Sequence, residues 1–165
     1  MNKLLGLIFV ILSFTWTSCD DENTALTRNR YFDNAQLNDD MQSVVIGNNL
    51  VFHHYYQAAD QENIADDEFE ENIFFEIPSP SNAFELKDSD LSHLKFSYQY
   101  VCFCMHIDSV MITNGTISGK KDGNQWQVDV DVTLRPYYQY DADSTVLGDP
   151  FPKSFSGKFS AGSLK

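Results

Sequence analysis

Cys102, Cys104 and His106 stand at alternate positions in the stretch YVCFCMHID, residues 100–108. On an extended strand alternate side chains share a face, so the three would project together. Three ligands of that kind, joined by His53 or His54 from another strand, could hold zinc or copper. Distance is the obstacle. Side chains two apart on a strand are roughly 7 Å from each other, and Zn–S bonds of ~2.3 Å bridge that only with favourable rotamers. A disulfide between Cys102 and Cys104 meets the same limit and needs a kink or bulge to form. The plain alternative makes both cysteines small core hydrophobes beside Tyr98 and Tyr100. Types and spacing favour that strand over the disulfide, and the disulfide over a metal, so no metal cofactor is expected.

Other residues offer binding rather than catalysis. Tyr137, Tyr138 and Tyr140 follow Pro136 in RPYYQYD. Three tyrosines near a loop could stack on sugar rings, or equally cap the end of the fold. His53-His54-Tyr55-Tyr56 alternates faces, so at most one histidine serves any one site, and the stretch reads as an ordinary strand. The sequence holds no G-x-S-x-G, no H-E-x-x-H and no phosphate-cradling glycine loop, so a non-enzymatic protein is expected. The acidic runs at 59–72 and 141–149 have a faint calcium look but match no EF-hand spacing. They read as solvated loops or charged guards of a sheet edge.

The elements that would position these groups are strands. In NQWQVDVDVTL, Trp126, Val128, Val130, Val132 and Leu134 alternate with Gln125, Gln127, Asp129, Asp131 and Thr133. One dry and one wet face belong to an antiparallel sheet. Asp122-Gly123 just before it signals a two-residue hairpin. With those two residues central, Ile117 falls opposite Val128, Gly119 opposite Trp126, and Thr116 opposite Asp129. Phe155, Gly157, Phe159 and Ala161 repeat the alternation. Weaker strands are expected at 43–47, 50–56, 73–77, 83–87 and 95–107, with a helical turn only at 57–64 or 89–94. The fold class is therefore all-β: a single antiparallel β-sandwich or small barrel-like domain.

Charge narrows the partners. The 165 residues carry 24 acids against 11 lysines and arginines, a formal charge of −13. Such a surface excludes nucleic acid, whose phosphates demand cations.

The N-terminus supplies an address. Lys3 precedes an apolar run from Leu4 to Trp16, roughly 20 Å of helix and too short for a ~30 Å hydrocarbon core. It reads as a signal peptide, residues 1–18. Thr17 and Ser18 before Cys19 resemble a bacterial lipobox, with Trp16 where leucine is usual. The resemblance implies cleavage before Cys19 and diacyl or triacyl lipid on that cysteine. Asp20, Asp21 and Glu22 resemble the export signal of Bacteroidota surface lipoproteins. That implies a lipid-anchored protein on the outer face of the outer membrane. Residues 19–41 then read as the lipidated cysteine and a polar tether, and 42–165 as the β domain. GTISG, WQVDVDV and FSGKF resemble the closing strands of small β-sandwich domains of unknown function in such lipoproteins; the likeness implies a fold and no activity. Asp108-Ser109-Val110 resembles the O-glycosylation triplet of exported Bacteroidota proteins, marking Ser109. The expected role is a binding or accessory module for a glycan or an outer-membrane partner. A structural or adhesion subunit, or a metal-binding envelope protein, is the alternative.

Overall fold

The computed structural model describes residues 24–59, 69–78, 82–102, 109–141 and 144–164. Among the described residues nine strands form one sheet: β1 (Leu26–Leu37), β2 (Val44–Gln57), β3 (Glu70–Ile77), β4 (Ala83–Lys87), β5 (Phe96–Val101), β6 (Ser109–Asp122), β7 (Gln125–Asp141), β8 (Ser144–Leu147) and β9 (Phe151–Ala161). Their order is β4-β6-β7-β9-β1-β2-β3-β5, with β8 paired to the far end of β7. A short 3-10 helix, Asp88–His93, falls on the expected helical turn. The fold is all-β, as the alternation predicts, and the sheet does not close into a barrel.

Burial explains why the sheet doubles over. Phe52 on β2 and Phe75 on β3 stack at 4.9 Å between ring centres. Phe52 also meets Trp126 on β7 edge-on at 5.7 Å and Phe159 on β9 at 5.4 Å. The β1-β2-β3-β5 half therefore lies over the β4-β6-β7-β9 half, and each dry face covers the other. Leu91 from the 3-10 helix joins this core. The halves meet at β1 and β9, which pair in parallel through Arg30–Ser160 and Tyr31–Ala161 alone. That parallel junction is the one departure from an otherwise antiparallel ladder among the described strands.

Two sequence expectations are corrected. Residues 26–37 are not tether: they form β1, a strand between β9 and β2. Their pattern hides because β1 is buried on both faces from Tyr31 onward. Tyr31 enters the main core, while Phe32, Ala35 and Leu37 form a second cluster with Val51 and Phe74. A bulge near Asn34, whose φ is 52°, breaks the alternation further.

The β6–β7 register also differs. Asp122 pairs with Gln125, so Gly123 and Asn124 are the central turn residues. Only Gly123 is left-handed, with φ 61°; a hairpin with glycine first needs just one such residue, whereas Asp122-Gly123 needed two. Ile117 consequently faces Val130, Gly119 faces Val128, and Thr116 faces Asp131. Each partner moves by two residues, so every side chain keeps its face. Gly119 makes room for the Phe84 ring from β4 rather than for the indole.

Candidate functional site

Strand pairing lays out a grid on the outer face of the β1-β2-β3-β5 half. Arg28, Tyr55, Asn72 and Gln99 are successive partners across β1, β2, β3 and β5. Arg30, His53, Phe74 and Ser97 form the next row. Alternation turns both rows away from Phe52 and Phe75, towards the outside.

Arg28, Arg30, His53 and Tyr55 line a shallow depression of about 160 Å³. The Arg28 guanidinium lies 5.9 Å from the centre of the Tyr55 ring. His53 stacks flat on Phe74, with centroids 4.1 Å apart and planes 7° apart. Its Nε2 lies 2.8 Å from Asn72 Oδ1, an acceptor that selects the Nε2–H tautomer. Burial lowers the pKa of His53; Arg30 lowers it further, against the hydrogen bond to Asn72. The imidazole is therefore a neutral, fixed ring at neutral pH. The positive charge of the grid comes from its arginines, two of the chain's three. Neither is ion-paired among the described residues. The Glu70 carboxylate beside the Tyr55 hydroxyl marks the acidic limit of the patch.

A second polar cluster lies between the two halves. Glu71 on β3 is 1 % exposed. Lys153 Nζ, from β9 in the opposite half, sits 2.5 Å from both carboxylate oxygens, aligned as a hydrogen-bond donor to Oε2. Tyr98 on β5 faces the same carboxylate, and burial first, then Glu71, raises the phenol's pKa. His54 Nε2 is 4.0 Å from Glu71 Oε1, its Nδ1 is 2.7 Å from Asn29 Oδ1, and its ring stacks on Phe155 at 4.0 Å. Burial foremost, then Lys153 and His53, pulls the His54 pKa down to about 4. A lysine, a carboxylate, a phenol and an imidazole could pass protons. Here they are enclosed between the layers, and the ion pair ties β3 to β9 across the core.

The residues singled out by sequence scatter. Cys19, Asp20, Asp21, Glu22, Cys104 and His106 lie outside the described residues. Cys102 is half-buried and disulfide-bonded, so it is not a free core thiol, and a sulfur in a disulfide is no thiolate ligand. Among the described residues, no three His, Cys, Asp or Glu side chains are placed to hold a metal ion. Ser109 opens β6 opposite Tyr137. Tyr137 lines a crevice between β5 and β6 with Tyr98 and Val110, while Tyr138 approaches Gly148. As neighbours on β7 they point to opposite faces, so the two do not form one stacking platform. The side chain of Tyr140 is outside the described residues.

Sequence reasoning missed both clusters. Arg28 and Arg30 stood in what read as tether, and Glu71 in what read as a solvated acidic run. The one available signal was matched spacing: R-x-R in β1 and H-x-Y in β2 both place partners on one face. No protein family matches this chain, and neither a curated protein nor a solved structure is similar to it.

Proposed function

We propose that the chain is a lipid-anchored module on the outer face of a bacterial outer membrane, which binds a glycan without transforming it. The outer-face grid carries this reading. It sets aromatic rings (Tyr55, His53), an amide (Asn72) and two guanidinium groups with no ion pair among the described residues side by side on strands, the mixture of stacking and hydrogen-bonding groups that sugar rings require. The anchor rests on Cys19, with the apolar run before it and the acids after it.

A neighbouring outer-membrane protein is the second reading. Val146 and Leu147 on β8 are each 50 % exposed, at a strand edge with no partner but β7 among the described residues. Such an edge suits addition of a strand from another subunit.

Glycan-array binding by the full chain, purified in a neutral detergent, separates the two. The proposal expects retention of at least one glycan, weakened by Tyr55→Ala. No retention by the intact protein, together with crosslinking on cells to a membrane protein, assigns the role to the second reading.

A further inference from the structure

The grid also has a sign. The chain's formal charge is −13, yet the exposed Arg28 and Arg30 sit two positions apart on the same face of β1. Both are free of carboxylate partners among the described residues. A guanidinium left unpaired on an acid-rich surface keeps its full donor fork for an incoming anion. The rows are ~7 Å apart and neighbouring strands ~4.8 Å apart, so the grid from β1 to β5 extends over roughly 14 Å. That is room for more than one sugar ring.

The polar groups form a sequence across it. Arginines stand at the β1 side, the Tyr55 and His53 rings on β2, and Asn72 on β3, with Gln99 and Ser97 beyond them on β5. Phe74 stacks against one face of the His53 ring and fixes it. A saccharide lying across the strands would place a ring at Tyr55, its hydroxyls towards the His53 edge and the amides, and an acidic substituent at the arginines.

We infer that the β1-β2-β3-β5 outer face is a subsite for an anionic saccharide, a sugar ring bearing carboxylate or sulfate, with Arg28 and Arg30 as the anion fork. The inference rests on the glycan-binding reading and names its ligand class. It gives the acidic surface a role in selectivity. The net negative charge of the molecule disfavours polyanions in general, so an acidic glycan needs a local pair of cations such as these to be retained.

The probes are polygalacturonate for carboxylate, dextran sulfate for sulfate and unmodified dextran for neither, in affinity gels with the full chain in neutral detergent. The expected result is retardation by at least one acidic polymer and not by dextran. Arg28→Gln with Arg30→Gln should weaken it by roughly tenfold or more, as loss of charge-assisted bidentate bonds does, and Arg135→Gln should leave it unchanged. Both fork arginines are exposed, and Tyr55→Ala on the neighbouring strand is a second variant expected to weaken the same retardation. Which acidic polymer is retained tells carboxylate from sulfate. Retardation by dextran alone, or acidic binding indifferent to both the arginine pair and Tyr55, overturns the inference while glycan binding stands. Retention of no polymer here and of no glycan on the array overturns both.

Discussion

At the scale of single residues, His54 shows how an apparently reactive group is made inert. Its imidazole lies between Asn29, Phe155 and the Glu71–Lys153 pair. Burial and the neighbouring lysine bring its pKa from the usual 6.5 to about 4. The unfolded chain takes up this proton near 6.5, the folded one only near 4. Stability from this residue is therefore complete above pH 6.5 and drains away as pH falls towards 4. Urea midpoints measured from pH 7 to 4.5 should fall less steeply in His54→Gln than in the parent. An unchanged slope would mean that His54 is as easily protonated folded as unfolded. His53, lowered for similar reasons, keeps the same sign in both proteins and cancels in the comparison.

At the scale of elements, the Glu71–Lys153 pair ties two strands that are not neighbours in the sheet. Lys153→Met leaves a buried carboxylate without its counter-charge, a loss of about 3–5 kcal/mol. Adding Glu71→Leu to that variant should restore much of the loss, because the orphaned charge goes with it. Urea unfolding of the single and double variants reads this directly; a single variant as stable as the parent would remove the cross-layer tie.

The same elements show what a sequence conceals. β7 and β9 were legible because each has one wet and one dry face, so their residues alternate by type. β1 was not, since Tyr31 and Phe32 are buried on opposite faces and a bulge interrupts the run. Glu71 looked like one more solvated acid because its counter-charge lies on β9, and only the doubled sheet brings Lys153 to it. The outer grid was hidden for a related reason: its rows exist only once β1, β2, β3 and β5 are placed in order.

At the scale of the whole molecule, β1 decides both architecture and proposed function. It joins the two halves through β9 and β2, buries Tyr31 and Phe32 on opposite faces, and presents Arg28 and Arg30 outward. The Tyr31 hydroxyl also donates to the Asn124 carbonyl, tying β1 to the β6–β7 turn. If residues 26–37 were instead a loose connection to the membrane, the doubled sheet would lose its junction and the grid its cations. Native-state hydrogen exchange on the full chain tests this most directly. Amides of β1 that pair with β2 should exchange as slowly as their partners there, with extra protection around residues 28–30 and 53–55 when an acidic polysaccharide is added. Exchange throughout 26–37 at the rate of an unstructured chain would contradict the account.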